Sequence, residues 1–231
     1  RMWQIVVVGE HMANMAGLAD DLHRRFDLPT GVRQRRFQKP FTSGVAAVDE
    51  VLTGGFPRAA LSEVTGAPSS NRTSLAISTA VAACRAGECC AWIDGCGTFD
   101  PESAAAAGLE FQRLVWINCH GQAEHAVKAT DLLLHRGGFG LMVLDLADFP
   151  EHTVRRISMT SWWRLRHAAE ENGTALIVIT SRSQTPSCST VCLELSREKS
   201  IWRGKLLRGI RSLLETHKHS SGRRASFESI V

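Results

Sequence analysis

From residue 60 onward, short apolar runs typical of β-strands alternate with segments of helical periodicity, at a spacing of about 25 residues. This alternation is typical of βαβ units, which build a mainly parallel sheet. We therefore predict an α/β fold in which a mainly parallel, twisted sheet is flanked by helices. The predicted strands are 61–65, 91–94, 114–117, 141–145, 175–180 and 191–195, the last at an antiparallel end of the sheet. The predicted helices are 72–86, 122–136 and 152–172, with a further helix beginning at 100–102.

The turn between the first predicted strand and helix has the outline of a phosphate-binding loop. It reads Gly-Ala-Pro-Ser-Ser-Asn-Arg-Thr-Ser, whereas the motif is G-x-x-x-x-G-K-[ST]. The second glycine and the lysine, which bring backbone N–H groups and a point charge to the phosphates, are replaced by Asn71 and the bulkier, forked Arg72. The candidate nucleotide-binding residues of this turn are Gly66, Ser69, Ser70, Asn71, Arg72, Thr73 and Ser74. The replacements predict a degenerate site.

The composition favours a single globular core with reduced cysteines and no membrane span. A chain of 231 residues with 44% hydrophobic residues is enough for one medium-sized core without disulfides. The net charge of +4 permits contact with nucleic acid without requiring it. The seven cysteines include no CxxC pair, which favours reduced thiols over a zinc site. No run approaches the roughly 18 apolar residues of a membrane span, so we expect a cytoplasmic protein with no membrane contact.

The ends of the chain differ from its centre. We predict an N-terminal extension over 1–39 that is partly disordered, a core over 40–199, an amphipathic basic helix over 200–215 and a disordered tail over 216–231. Residues 1–11 enter no functional argument. The apolar face of the predicted helix carries Leu206, Leu207, Ile210, Leu213 and Leu214. This helix either packs on the protein's own sheet or docks to a partner or to phosphates.

Two further groups of residues are candidates for contact with other molecules. The basic residues of the extension and of the predicted helix either face solvent or bind a partner or, weakly and without sequence preference, DNA. The candidate contact residues are Arg33, Arg35, Arg36, Arg203, Lys205, Leu206, Arg208, Ile210 and Arg211. Of the adjacent pair Trp162 and Trp163, at least one ring is expected in the core.

The order of motifs over residues 40–196 resembles the RecA family of recombinases. Phe41-Thr42-Ser43-Gly44 leads to Gly54-Gly55-Phe56-Pro57-Arg58 and then to the phosphate-loop outline. The match continues through Trp92-Ile93-Asp94, Phe99-Asp100-Pro101 and Leu141-Met142-Val143-Leu144-Asp145. The resemblance implies a RecA-like core and assigns Asp145 to the Walker B position, whose carboxylate helps to hold Mg²⁺. The alternative is that Asp145 only caps a buried strand.

The same resemblance implies that two catalytic positions are lost. Cys96 stands where the family has the glutamate that activates water, and Ser181 stands where it has a glutamine that senses the γ-phosphate. A thiol is no general base for water at neutral pH, and the serine side chain is too short for that contact. We therefore expect no enzymatic ATP hydrolysis and no required cofactor. Weak binding of ATP and Mg²⁺ remains an alternative, because a helix N-terminus still favours an anion.

Within the family, this pattern of loss is most similar to the ImuA group of RecA-like mutasome proteins. That resemblance implies a non-catalytic adaptor in the bacterial DNA-damage (SOS) response, which supports error-prone translesion synthesis. The implied partners are an ImuB-like polymerase-fold protein and an error-prone DNA polymerase, with RecA as a further candidate. Two alternatives stay open, namely a divergent RecA paralogue with DNA-dependent ATPase activity and a SulA-like cell-division inhibitor.

Overall fold

One mixed sheet organises the protein in a computed structural model that describes residues 39–185, 187–218 and 222–230. Its strands are β1 (Ala60–Gly66), β2 (Cys90–Asp94), β3 (Leu114–Asn118), β4 (Leu141–Asp145), β5 (Ala175–Thr180), β6 (Val191–Arg203), β7 (Leu206–Lys218) and β8 (Arg224–Ile230). Their spatial order is β3-β2-β4-β5-β1-β6-β7-β8. In this spatial order, each pair of neighbours from β3 across to β6 is parallel. The β6–β7 and β7–β8 pairs are antiparallel.

The sheet confirms the predicted α/β fold and the six predicted strand positions. The bounds of β4 and β5 coincide with the prediction, since each is a fully buried run with polar residues or turns at its ends. The predicted placement of 191–195 at the antiparallel end of the sheet is confirmed, because β6 pairs antiparallel with β7, with Leu195 opposite Leu214. On its other side β6 runs parallel to β1, with Ser62 opposite Val191, so it is the strand at which the parallel part of the sheet ends.

Helices cover both faces of the parallel strands. They are α1 (Ala46–Val51), α2 (Arg72–Arg85), α3 (Pro101–Ala106), α4 (Ala123–Arg136), α5 (Glu151–Arg155) and α6 (Met159–Asn172). The side chain of Asp100 caps α3 by accepting the N–H groups of Glu102 and Ser103. The single helix predicted over 152–172 is two helices, because Ser158 caps a new N-terminus by accepting the N–H of Ser161. None of the helices in the described residues combines the length and apolarity that a bilayer span requires.

The C-terminal prediction is wrong in its secondary structure. Residues 200–215 form parts of β6 and β7, joined at Gly204 and Lys205, instead of a helix. Burial along β7 alternates from Ser212 to Thr216, which is the period of a strand with one face covered. Leucines at three- and four-residue spacing also fit a helix, and pairing with β6 and β8 decides between the two. Gly204, with φ of 63°, marks the hairpin turn.

The predicted disordered tail is also wrong over its second half. Residues 224–230 form β8, which pairs along β7 from Gly209 to Glu215. Phe227 of β8 is buried in the same apolar cluster as Leu214 of β7. Backbone pairing with β7 and the apolar contacts of Phe227 and Ala225 hold this polar segment on the sheet. The predicted extension and its Arg33, Arg35 and Arg36 lie outside the described residues, apart from Lys39.

Alternate side chains of the strands point into two apolar clusters, one on each face of the sheet. Trp92, Ile177 and Leu193 belong to the cluster that also includes α2 residues such as Leu75. The other cluster packs against α4 and α6 and includes Trp162, which is buried. Trp163 is 45% exposed, so the expectation that at least one ring of the pair lies in the core is confirmed.

Candidate nucleotide-binding site

The carboxyl ends of the parallel strands bring the predicted site residues to one edge of the sheet. Gly66 ends β1, Asp94 ends β2 and Asp145 ends β4, with Asp94 and Asp145 opposite each other in register. In parallel sheets this edge is the usual place for ligands, because the strand-to-helix loops gather there. The edge therefore contains the phosphate-loop outline and the Walker B position together.

The turn from β1 into α2 keeps the backbone shape that the motif requires. A Cβ on Gly66 would lie 2.4 Å from the carbonyl oxygen of Leu195, so only glycine fits there. Asn71 has φ of 67°, in the left-handed region that the motif's second glycine adopts freely. Asparagine is among the side chains that tolerate this region best. The loss of that glycine has therefore left the turn itself in place.

The Asn71 side chain has a partner far along the chain. Its Nδ2 donates to the carbonyl oxygen of Ile210 at 2.8 Å and to Oγ of Ser212 at 2.9 Å, both in β7. Asn71 and Ser212 are buried. A glycine could not make either bond. The replacement therefore ties the turn to the antiparallel strands.

Arg72 is 5% exposed and directs its guanidinium into the protein. Nη1 donates to the carbonyl oxygen of Gly66, and Nη2 donates to the carbonyl oxygen of Ala147 at 3.1 Å. Nη2 also forms an ion pair with Asp148 at 3.2 Å. These contacts join the turn to the segment after β4. A bound phosphate would have to displace them to gain the charge of Arg72.

The hydroxyl residues of the turn differ in their surroundings. Ser70 is buried, and its Oγ has no hydrogen-bond partner within the described residues. Ser69 and Ser74 are exposed, and Thr73 is half-buried at the start of α2. The N-terminus of α2 thus presents hydroxyl groups, but its neighbouring cation is already bound by protein oxygens.

Asp145 lies at the Walker B position and is 5% exposed. Burial raises its pKa to about 7, and the negative charges of Asp94 and Asp148 add to the rise. A hydrogen bond from the N–H of Ala147 at 3.0 Å and the charge of Arg72 lower its pKa. A substantial fraction of Asp145 is therefore protonated near neutral pH, which weakens it as a ligand for a cation.

Asp94 was not singled out from the sequence, yet it organises the loop that contains Cys96. Its carboxylate accepts the N–H groups of Gly97 at 2.7 Å, Thr98 at 3.1 Å and Phe99 at 3.0 Å. Burial and the nearby carboxylates of Asp148, Asp145 and Asp94 raise the pKa of Cys96 to about 11. Its thiol is protonated at neutral pH, so it can neither accept a proton from water nor act as a thiolate nucleophile.

Glu63 is a second residue that sequence reasoning missed. It is fully buried in β1 and accepts the N–H groups of Gln184 at 2.6 Å and Thr185 at 3.1 Å, together with Oγ of Ser183 at 2.7 Å. These bonds fix the segment that follows Ser181 and β5. A charged residue inside an apolar strand was the available signal, since an unpaired buried carboxylate would be costly.

The predicted contact residues at the C-terminus lie on the antiparallel strands. Arg203, Lys205, Leu206 and Arg208 surround the β6–β7 turn and are exposed. Ile210 contributes its carbonyl oxygen to Asn71, and Arg211 pairs with Glu228. Of the nine candidate contact residues, four are thus exposed at the hairpin tip, and two, Ile210 and Arg211, have partners within the protein. The other three lie outside the described residues.

Two side chains at this edge, at the lysine and Walker B positions of the motif, have interactions of their own within the protein. The cation at the lysine position is engaged with protein oxygens, and the carboxylate at the Walker B position has a raised pKa. Among the described residues, no group of three or more His, Cys, Asp or Glu side chains is placed to hold a metal ion. Through the side chains of Asn71 and Arg72, this edge connects β1, the segment after β4, and β7.

Comparison with known proteins places these features in a family. The profile of the RecA N-terminal domain matches residues 29–153, which is more than half of the chain. A RecA protein of Corynebacterium jeikeium is 30% identical over 132 residues, covering 57% of this chain and 35% of that protein. A RecA protein of a Nocardioides species is 35% identical over 104 residues, covering 45% of this chain and 29% of that protein. The chain thus matches only about a third of the length of these relatives.

A solved structure extends the likeness of fold beyond the range of the sequence match. The crystal structure of the RadB recombinase superposes with a TM-score of 0.63, covering 81% of this chain and 94% of that chain. The two sequences are 20% identical, so this likeness concerns the fold alone. The predicted α/β core of this kind is confirmed.

Proposed function

The chain belongs to the RecA N-terminal domain family, and we propose that within it this protein is a non-catalytic adaptor of the bacterial DNA-damage (SOS) response. It acts in the cytoplasm and supports error-prone translesion synthesis through protein contacts. Its partners are an ImuB-like polymerase-fold protein and an error-prone DNA polymerase, with RecA as a further partner. ATP and Mg²⁺ are not required for this role.

The observation that carries the proposal is the position of Arg72. Its N–H groups are directed to Gly66, Ala147 and Asp148, so the charge that should meet a phosphate is used inside the protein. The two residues that break the phosphate-loop motif, Asn71 and Arg72, both bind distant parts of the same chain through their side chains. Both side chains therefore have a structural use at the place where the motif would direct groups to a phosphate.

A second observation supports the loss of hydrolysis. Cys96 stands where the family's general base is expected, and its raised pKa keeps the thiol neutral. Loss of a positioned base typically lowers a rate by about 10²–10⁴-fold. Loss of electrostatic stabilisation at the transferred phosphate lowers it by roughly 10²–10³-fold more. Together these losses favour binding functions over turnover.

The first test measures ATP turnover by the purified chain, with and without single-stranded DNA, beside an active RecA. We expect no turnover above that of the Asp145→Ala variant. Titration with a fluorescent ATP analogue tests binding separately, with Asn71→Gly/Arg72→Lys as the variant that restores the motif. We expect the restored variant to bind at least about tenfold more tightly, a difference of about 1.4 kcal/mol. Turnover comparable to RecA that disappears in Asp145→Ala would contradict the proposal.

A second test addresses the partner. Co-expression with the ImuB-like protein of the same bacterium should yield a complex that survives gel filtration without nucleotide. Addition of ATP or of EDTA should leave its elution volume unchanged. Failure to form any complex in either condition would contradict the adaptor function.

The divergent RecA paralogue is the second candidate function. It is favoured by the retained Asp145 at the end of β4 and by identity to RecA proteins over the nucleotide-binding half. It predicts the opposite result in the turnover assay, with ATP hydrolysis stimulated by DNA. The same measurement therefore separates the two candidates.

A further inference from the structure

The tip of the β6–β7 hairpin extends beyond the strands that flank it. Pairing of β6 with β1 ends at Leu195, and pairing of β7 with β8 ends at Gly209. Residues 201–208, which we call the arm, therefore form a ribbon of two strands, beside which no other strand of the described residues lies. Isolated two-stranded ribbons are marginally stable in water. An arm of this kind gains stability when another molecule covers it.

Large apolar side chains are exposed on both faces of the arm. Trp202 is 60% exposed and Leu206 is 66% exposed. Trp202 pairs in register with Leu207, and Arg203 pairs with Leu206. Since directly paired residues share a face and successive residues alternate, Trp202 and Leu206 lie on opposite faces. One flat surface could not cover both side chains, whereas a cleft that receives the tip could.

The cations around the tip are unpaired. The arm carries Arg203, Lys205 and Arg208, and Arg197 and Lys199 lie at its base. All are exposed, and none of them forms an ion pair within the part of the chain that the structure describes. Further along the same strands the pattern changes, because Arg211 pairs with Glu228 and Arg224 pairs with Glu215. Five cations without an ion pair to any described residue are thus grouped at the exposed end of the hairpin.

We propose that the arm is a docking element that inserts into an apolar, acid-rimmed cleft of a partner protein. Trp202 and Leu206 supply apolar anchors for opposite walls of the cleft, and the surrounding cations meet carboxylates at its rim. Buried aromatic anchors surrounded by charged residues are typical of protein interfaces, in which tryptophan and arginine contribute most to affinity. The inference rests on the proposed adaptor function and identifies the surface that performs it.

A nucleic acid strand fits the same cations but not the same apolar arrangement. A base can stack on Trp202, and phosphates can contact Arg203 and Lys205. A strand lying along one face of the ribbon would leave Leu206 exposed on the other face. If a partner protein covers the arm, removal of the Leu206 side chain should weaken binding. If a nucleic acid strand covers it, that removal should have little effect.

The test measures binding of the full chain to the purified ImuB-like protein by biolayer interferometry. The arm variants are Trp202→Ala and Leu206→Ala, and the matched controls are Trp163→Ala and Met159→Ala on α6, whose side chains are 45% and 43% exposed. We expect each arm variant to weaken binding by at least about tenfold, since buried interface anchors commonly cost more than 1 kcal/mol. The controls should stay within about twofold, which is below the usual effect of an anchor residue.

The charged residues are tested with Arg203→Gln/Lys205→Gln/Arg208→Gln. This variant should lower the association rate and reduce its dependence on salt, because rim charges mainly steer the encounter of two proteins. The exposed substitutions leave the core intact, and unchanged far-UV circular dichroism checks this. A photo-crosslinking amino acid at position 202 and, separately, at position 206 should link the arm to the same domain of the partner.

Each outcome separates the arm from the adaptor function. If the unaltered chain does not bind the ImuB-like protein, the proposed function is overturned and this inference with it. If the chain binds and the arm variants bind equally well, the adaptor function stands and the docking role of the arm is overturned. If a labelled 20-nucleotide strand binds the chain, and Trp202→Ala abolishes that binding while neither arm variant affects the ImuB-like protein, the arm is a nucleic-acid element instead.

Discussion

Arg72 and the cations of the arm are chemically alike and have opposite surroundings. Arg72 is buried, and its N–H groups reach two backbone carbonyls and a carboxylate. Arg203 and Arg208 are exposed and form no ion pair within the described residues. At the edge where a RecA-type protein would bind a nucleotide, charge is used to hold the chain together. At the hairpin tip, charge remains available to another molecule.

The carboxylates of the two regions differ in the same way as the cations, buried and bonded to backbone at the edge and near the surface on the antiparallel strands. Asp94 is fully buried and accepts three backbone N–H groups, and Glu63 is fully buried and accepts two together with a hydroxyl. By contrast, Glu228 and Glu215 lie near the surface of the antiparallel strands and pair with arginines. This division is what the proposed adaptor function predicts: the charged groups of the edge hold the chain together, and those of the hairpin tip stay accessible at the periphery of the sheet.

The strongest test of this comparison removes one guanidinium from each region. We expect Arg72→Met to lower the free energy of unfolding by about 2–4 kcal/mol, because it leaves the carbonyl oxygens of Gly66 and Ala147 without their buried donor. Asp148 is 47% exposed, so water can solvate its carboxylate in the variant. Arg203→Met should change stability by less than about 0.5 kcal/mol, as is usual for exposed sites. Urea denaturation of the two variants and the unaltered chain measures both values. Equal effects at the two positions would contradict the division.

The second test uses the pH dependence of stability. The folded-state pKa of Asp145, about 7, lies above its ordinary value of 3.8. A raised folded-state pKa means that the native protein holds the proton more tightly, so this contribution is present below about pH 4 and is lost as pH rises from about 4 through 7. Asp145→Asn should therefore gain stability relative to the unaltered chain between pH 5 and 8, by about 2–3 kcal/mol, with most of the gain below pH 7. Chemical denaturation across this range measures the difference, and parallel curves for the two proteins would contradict it.

The third and smallest effect concerns the link between the turn and β7. Asn71→Gly keeps the left-handed backbone but removes both bonds to Ile210 and Ser212. We expect a loss of about 1–2 kcal/mol, typical of two hydrogen bonds with a buried acceptor. Amide exchange should become faster in β7 around Gly209 to Leu213. Asn71→Asp keeps the size but places a buried carboxylate opposite the carbonyl oxygen of Ile210, so its loss should be at least as large. Unchanged exchange in both variants would show that the link does not hold the hairpin.

The parallel core was accessible from the sequence for a local reason. In β4 and β5, every residue is buried, and the apolar run alone marks the strand. Polar or turn residues at each end mark where these strands begin and end, so the local sequence was sufficient to predict their bounds. The degenerate turn was equally visible, since its glycine and its departures from the motif are adjacent residues.

The C-terminal hairpin was not accessible in this way. The spacing of Leu206, Ile210 and Leu213 suits one face of a helix, and the segment also suits a strand with one covered face. The choice depends on β6 and β8, which supply backbone hydrogen bonds that no local pattern records. Gly204, whose φ is 63°, is a local signal of the turn that the prediction of a helix did not use.

By itself, the sequence determined the positions of the core strands along the chain, the turn at Gly66 and the family to which the chain belongs, because each depends on short patterns. Only the tertiary structure decided what the altered residues do. The partners of Arg72 lie 75 and 76 residues away at Ala147 and Asp148, and those of Asn71 lie 139 and 141 residues away at Ile210 and Ser212. Hydrogen bonds across such separations form only when the sheet has brought distant segments together. From the sequence, Asn71 and Arg72 could be recognised only as departures from the motif, and their contacts became visible only in the fold.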